Sequence, residues 1–397
     1  MVRTTAGGAG VWWDAVIAGA GPAGAACALL LARGGMRVLL LDRCGFPRDK
    51  ACGDLLIPDS LAILARLGLA DRVRALGRGL DRARVYSPSR IDWSIEGDFV
   101  TLRRKELDAV LVETAVAAGA ILRKGDVVRV DDVAEGVTVG LRNGAEVRGR
   151  TAVLATGAEV SLLERTGALS RKAPTALAVR AYVRASRGPD ELLISFDRSI
   201  VPGYGWVFPL PDGWFNVGVG VLHQARSDRR RSLRGLLDRF VGAFPPLQEM
   251  MASAGTLEDI RGARLRCGLE GARLNAGERI LAVGEAVGTT YPFTGEGVGK
   301  AMETGALAAE AVLRASCPGG PTPVEWYARQ VEEELRPRYR GYQAAQEWFA
   351  RPLLNDLLAW RARKSPYLRQ TAAEMVAEVS DPREAVSFRG LLRSFRS

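Results

Sequence analysis

The sequence predicts a mixed α/β protein: a Rossmann-like parallel-sheet unit at the N-terminal end, a mostly antiparallel β unit, and a helical tail. Three observations carry that expectation. An apolar run, a glycine-rich turn, a helical pattern and a second apolar run follow one another within residues 14–42. Residues 121–150 and 203–221 alternate apolar and polar or carry tight-turn residues, which is the period of strands. From about residue 321 onwards the pattern is helical to the end.

The first run, residues 14–18 (DAVIA), is short and apolar and reads as a buried strand. It leads into Gly19-Ala20-Gly21-Pro22-Ala23-Gly24, then a helix (AACALLLARGG) and a second strand that ends at Asp42. A GxGxxG turn gains meaning in this strand–turn–helix–strand order. Gly19 allows the tight turn, Gly21 lets the backbone approach a pyrophosphate, and Gly24 allows close helix–strand packing. The helix N-terminus, at Pro22 and Ala23, faces the phosphates. Asp42, with Arg43 after it, stands where a carboxylate accepts from a ribose hydroxyl. Residues 1–13 lack the apolar run of a secretory leader and read as a lead-in.

A second glycine-rich stretch favours FAD over NAD. A buried strand around residues 280–283 runs into Gly284-Glu285, then a loop with Pro292 and Gly295-Glu296-Gly297, then a small-residue helix from Val298 to about Leu313. The polar strand exit suits the ribityl–phosphate region. A helix N-terminus after Gly297 suits negative charge on the N1–C2=O edge of a reduced flavin.

The remaining pattern divides the chain. Residues 1–80, 101–174 and 264–320 are expected to form a discontinuous FAD-binding domain. Residues 81–100 and 175–263 are expected to form a β substrate domain, and 321–397 a C-terminal helical region. Within the first, 104–119 is an amphipathic helix and Asn143-Gly144 marks a hairpin. Within the second, a hairpin turns at Pro211-Asp212-Gly213. There Tyr204, Trp206 and Phe208 alternate and share one strand face. The partner strand, residues 216–221 (NVGVGV), offers little bulk, so the three aromatics are read as the wall of a slot for a flat or greasy substrate. In the tail, Trp348, Phe349, Leu353, Leu357 and Trp360 are expected near one face, with Pro352 kinking that helix or starting another.

Composition bounds the chemistry. The 397 residues are 47% apolar and 25% charged, as in ordinary globular enzymes. The five cysteines (Cys27, Cys44, Cys52, Cys267 and Cys317) form no CxxC pair, and His223 is the single histidine. No metal site and no His-based nucleophile are expected, so a cofactor must carry the hard chemistry. Unpaired thiols point to a cytoplasmic location, peripheral to a membrane at most. The formal charge of +10 suits contact with an anionic membrane, a pyrophosphate-bearing substrate or an acidic carrier protein. It is equally the result of an arginine-rich surface, since the densest run, Arg226 to Arg239, is broken by aspartates. No basic stripe interleaved with aromatics points to nucleic acid.

Five motifs stand in one order: GAGPAG, FPRDKACGD (46–54), RRKELD (103–108), GYGWVFP (203–209) and GEAVGTTYPFTGEG (284–297). Together they resemble the geranylgeranyl reductase family of FAD-dependent oxidoreductases, of the para-hydroxybenzoate hydroxylase fold, over residues 12–320. The resemblance implies that Arg104 contacts the cofactor and that Glu285 replaces the family's usual Asp. It places Thr156 where hydroxylases carry Asp. It also places Cys52 near the flavin, where a thiol could donate a proton or gate the ring during reduction of an alkene. Nicotinamide, a ferredoxin or reduced free flavin could supply the electrons. A monooxygenase or halogenase on the same fold is the rival reading. Halogenases carry a WxWxIP-like motif, from which Tyr204 and Phe208 depart.

Overall fold

A computed structural model describes residues 11–222, 232–253, 255–292, 294–315 and 321–395. His223, Cys317, residues 1–10 of the lead-in and the first part of the 226–239 basic run lie outside the described residues.

The first sheet has seven strands. Ile121–Lys124, Val38–Asp42, Trp12–Ala18 and Glu146–Leu154 lie side by side in parallel, and Ile280–Ala282 adds to the far end of Glu146–Leu154. Gly136–Leu141 and Val127–Val133 extend it as the antiparallel meander expected between 121 and 150. The opening strand begins earlier than the sequence suggested. Trp12 and Trp13, read as lead-in, pair with Arg148 and Gly149. The parallel strands are buried on both faces, which explains their unbroken apolar character.

The helix Pro22–Arg33 leaves the glycine turn and packs along the helix Val298–Ala315. Both present alanines and glycines to each other. A Cβ on Gly305 would lie 2.2 Å from the Ala23 carbonyl oxygen, so the two backbones touch. That contact brings the N-termini of both helices to the same end of the sheet.

The second sheet has eight strands, in the order Glu258–Leu265, Ala176–Arg184, Trp214–Leu222, Gly203–Pro209, Leu192–Ser195, Arg78–Tyr86, Asp92–Thr101 and Leu55–Leu56. All neighbours are antiparallel except Leu192–Ser195 with Arg78–Tyr86. One face carries valines and is covered by the helices Leu233–Ala243 and Pro245–Ala252 through Leu237, Phe240 and Phe244. The other face carries Trp93, Trp206 and Phe208 and meets the tail through Phe349, Leu358 and Leu368.

The tail is a run of helices, and Pro352 opens a new one, Pro352–Ala362, after the helix Arg336–Phe349 has ended. The break changes the helical phase. Phe349 is buried, whereas Leu353, Leu357 and Trp360 point outward, so the single apolar face expected from 348 to 360 is split in two.

Lys300 fastens the tail to the body. Its side chain is fully buried, with Nζ 3.0 Å from Asp59 and 2.7 Å from Glu378, and it also pairs with Glu303. Glu378 follows the tail helix Pro366–Val376, and Arg338 at 3.0 Å closes the network. Burial pushes the Asp59 carboxyl up to about 8, helped by the charge of Glu296 and opposed by Lys300. We expect Lys300→Met to cost about 3–5 kcal/mol, because Asp59 and its half-buried neighbours Glu303 and Glu378 lose the fully buried cation they share. Without that cation the folded-state pKa of Asp59 rises further above its unfolded value. The folded form then holds extra protons, and its stability falls as pH rises. Thermal melts should therefore show a smaller deficit at pH 5 than at pH 8.

Candidate active site

A cavity of about 660 Å³ is lined by residues of both sheets and of the tail. Every residue assigned from the sequence to cofactor, substrate or catalysis lines it except Gly24 and Gly284, which pack behind it. The two exceptions have a steric reason. A Cβ on Gly24 would lie 1.8 Å from the Gly19 carbonyl oxygen, and one on Gly284 would lie 2.8 Å from the Ala23 Cβ.

At the nucleotide end, Gly19 adopts φ +110° and its N–H donates to the Leu41 carbonyl at 2.7 Å. Asp42 accepts from the backbone N–H groups of Ala20 and Cys44, both at 2.9 Å. Its carboxylate therefore shapes the turn as well as standing ready for a ribose. A Cβ on Gly21 would meet only the Arg48 guanidinium, at 3.4 Å. Open space, a helix N-terminus and a cation thus coincide where a pyrophosphate would lie. Arg48 is held by Asp108 at 3.1 Å and Asp42 at 3.7 Å. Arg104 makes a buried two-pronged pair with Asp108, at 2.8 and 2.9 Å.

The centre of the cavity is organised by Asp54. This residue, with φ +62°, is buried, and its carboxylate accepts from the Arg104 N–H, the Tyr182 hydroxyl and the Asn216 amide at 2.7–3.0 Å. Asn216 also donates to the Cys52 carbonyl at 2.8 Å and accepts from the Trp206 indole N–H at 2.9 Å. Cys52 is thereby tied to the aromatic hairpin. Cys52 is half-buried. Loss of surrounding water pushes its thiol up, against a downward pull from Arg104.

The hairpin differs in one respect from the sequence reading. The register sets Tyr204, Trp206 and Phe208 opposite Gly220, Gly218 and Asn216. The indole of Trp206 lies directly over Gly218, where a Cβ would come within 2.1 Å of the ring. The room beside Gly218 is filled by Trp206 itself, and the three rings border the cavity while also packing in the second core.

The loop after Ile280–Ala282 completes the site. Tyr204 donates to the Thr294 carbonyl at 2.7 Å, joining the hairpin to the Gly295-Glu296-Gly297 turn. The helix Val298–Ala315 starts there, as expected, and Glu296 accepts from the Gly299 N–H at 2.6 Å and from Ser60 at 2.9 Å. Glu285 pairs with Lys50 at 3.1 Å, and its other carboxylate oxygen is buried without a partner. That oxygen is free to accept from a ribityl or ribose hydroxyl. Arg43, Pro292 and Thr156 also border the cavity, and the Thr156 hydroxyl donates to the Glu159 carbonyl at 2.9 Å. The Glu285 acceptor, the Arg48 cation and the open face at Gly21 fit a flavin dinucleotide.

Sequence reasoning passed over Arg48, Asp54, Tyr182 and Asn216. The clue it held for Asn216 was a lone amide in an otherwise apolar and glycine-rich strand, Trp214–Leu222.

The FAD binding domain family matches residues 13–157. A menaquinone reductase of Mycobacterium tuberculosis is 34% identical over 314 residues, covering 75% of this chain and 76% of that protein. A digeranylgeranylglycerophospholipid reductase of Methanopyrus kandleri is 30% identical, covering 76% and 81%. Among solved structures, a geranylgeranyl bacteriochlorophyll reductase-like protein from Thermoplasma acidophilum covers 97% of this chain and 96% of its own, with a TM-score of 0.77 and 21% identity. A flavin-dependent brominase covers 97% and 99%, with a TM-score of 0.76 and 20% identity. These two structural likenesses establish the fold.

Gly21 and Gly24 should separate by experiment. Gly21→Val projects into open space, so the purified protein should melt near the parent temperature but lose the visible absorbance of bound FAD. Gly24→Val collides with backbone and should fail to fold. Full flavin occupancy in Gly21→Val would contradict the pyrophosphate assignment.

Proposed function

This chain belongs to the geranylgeranyl reductase family of FAD-dependent oxidoreductases, and we propose that it reduces carbon–carbon double bonds of a prenyl or other lipophilic substrate. The observation that supports this most directly is the cavity wall next to Cys52. Tyr204, Trp206 and Phe208 stand beside Phe196, Trp93 and Phe349, and all six border the cavity. Such a surface holds a long apolar chain by burial alone and keeps water away from the reacting carbons.

FAD, when bound, supplies hydride from N5 to one alkene carbon. The chain must supply the rest. The second carbon needs a proton, and the Cys52 thiol is the group we assign to hold it at Sγ. Its raised pKa keeps it protonated at neutral pH, as a donor requires and a thiolate nucleophile does not. Asn216, bonded to the Cys52 carbonyl and to the Asp54 carboxylate, fixes the backbone that follows the thiol. Tyr204 is anchored through its hydroxyl, so its ring is held as part of the wall.

The test is anaerobic turnover of a prenyl panel with chemically reduced flavin, read by product mass. A gain of two hydrogens per reduced bond is expected. Turnover that requires oxygen and adds an oxygen or halogen atom would replace this reading with the monooxygenase or halogenase alternative.

Two substitutions probe the roles. Cys52→Ala should keep FAD yet lower kcat on the order of a hundredfold or more, the usual weight of a general acid. Unchanged kcat would make Cys52 a structural thiol. Phe208→Ala should raise KM for a long apolar substrate with flavin absorbance unchanged, the signature of lost uniform binding. A melt lowered as for a core truncation of about 3–5 kcal/mol, with normal KM, would instead assign Phe208 to the core alone.

A further inference from the structure

The outward face of the tail carries a feature that the cavity does not use. Leu353, Leu357 and Trp360 on the helix Pro352–Ala362 are spaced i, i+4, i+7, and so are Phe388, Leu392 and Phe395 on and just after the helix Phe388–Ser394. This spacing sets three side chains in one stripe on each helix. All six are exposed, from 37% for Leu357 to 82% for Leu353. The stripes meet where Trp360 approaches Phe395 at 6.4 Å between ring centroids, and Trp348 of the preceding helix extends the apolar face by meeting Phe388 at 4.9 Å.

The opposite side of the first helix is also apolar, with Leu358 and Ala359 packed in the second core. A helix apolar on two sides needs cover on both. Here the core covers only one.

The exposed charges carried by the two helices and their ends have one sign. Arg351, Arg363, Lys364, Arg389 and Arg393 are exposed along the two helices. Arg351, Arg389 and Arg393 enter no ion pair among the described residues. The one carboxylate in either helix, Asp356, is occupied by the hydroxyls of Ser87 and Ser89 at 2.6 and 2.7 Å.

We infer that this face docks on an anionic lipid surface, with the six apolar side chains in the acyl boundary and the cations among the headgroups. Charge complementarity selects this occupant, since apolar stripes flanked by arginine and lysine are what an acidic bilayer interface attracts. Trp360 with Lys364 over its ring at 5.0 Å suits the headgroup level. No helix among the described residues is long and apolar enough to cross a membrane, so the attachment is peripheral. The same tail borders the substrate cavity from inside through Phe349 and Met375, so docking brings the cavity next to the lipid phase.

The inference goes beyond the proposed reaction and does not require it. Its test is flotation of the full-length FAD-loaded protein with vesicles of phosphatidylcholine alone and of phosphatidylcholine with phosphatidylglycerol. Flotation is expected with the anionic vesicles and should weaken as salt rises. The triple variant Leu353→Glu, Phe388→Glu, Leu392→Glu should float about tenfold less or worse, with flavin absorbance and melting temperature unchanged. Arg389→Glu with Arg393→Glu should abolish the preference for anionic lipid. Three results would overturn the inference: no flotation of the parent, equal flotation of the triple variant, or sedimentation showing a dimer that the triple variant dissolves. Tight binding to an acidic carrier protein without flotation would likewise assign the face to that partner. Flotation reads no turnover, so its failure leaves the lipophilic-substrate proposal standing, and inactivity on prenyl substrates leaves the docking face standing.

Discussion

Backbone-on-backbone contact around the first glycine turn is the constraint on which the rest of the molecule depends. Gly24 lies against the Gly19 carbonyl, Gly19 against the Ala155 carbonyl, and Gly305 against Ala23. Three segments far apart in sequence are thereby drawn closer than any side chain would allow. The first consequence is local, since the helix from Pro22 starts with its N–H groups facing the cavity. The second is long-range. With Gly305 pressed on Ala23, the start of the helix Val298–Ala315 is fixed beside the same cavity, and with it the Glu296 turn and Lys300.

The second half of the site is held by polar groups instead. Burying Asp54 raises its pKa, and its three donors oppose that rise. A buried carboxylate is tolerable when its lone pairs are used this fully. Because Asn216 joins Asp54, the Cys52 carbonyl and the Trp206 indole, the thiol and the aromatic wall are held in one hydrogen-bonded unit. Their spacing is thus set by hydrogen bonds of fixed length, where apolar packing alone would leave the register of wall and thiol soft.

What the sequence made legible follows from the range of each interaction. The GxGxxG turn, the Asn143-Gly144 hairpin, the Pro211–Gly213 hairpin and the new helix at Pro352 are local, and each residue type states its own conformation. The pairing of Asn216 with Asp54 spans 162 positions and that of Tyr182 with Asp54 spans 128, so no spacing announces them. Gly218 shows the complementary failure. A glycine facing an aromatic predicts empty room, but the Trp206 indole, two strand positions from Phe208, turns across and fills it. The phase of the tail was lost for a similar reason. Pro352 was correctly seen as a break, but the rotation it introduces depends on tertiary packing.

The tail has two separable duties that share one scaffold. Lys300 anchors it to the FAD-binding side through Glu378, while Phe349, Leu358 and Leu368 pack over the aromatic face of the second sheet. The cavity is therefore closed by a part of the chain whose position is set by an ion-pair network near the flavin turn. Glu296 belongs to both environments: it caps the helix that carries Lys300, and it borders the cavity. The turn reaches Lys300, and through Glu378 the helices that cover the cavity, by direct contacts. Fold, glycine turn and cavity cover are in this way joined by a chain of direct contacts, Glu296 to Ser60 and the adjacent Asp59 to Lys300 to Glu378.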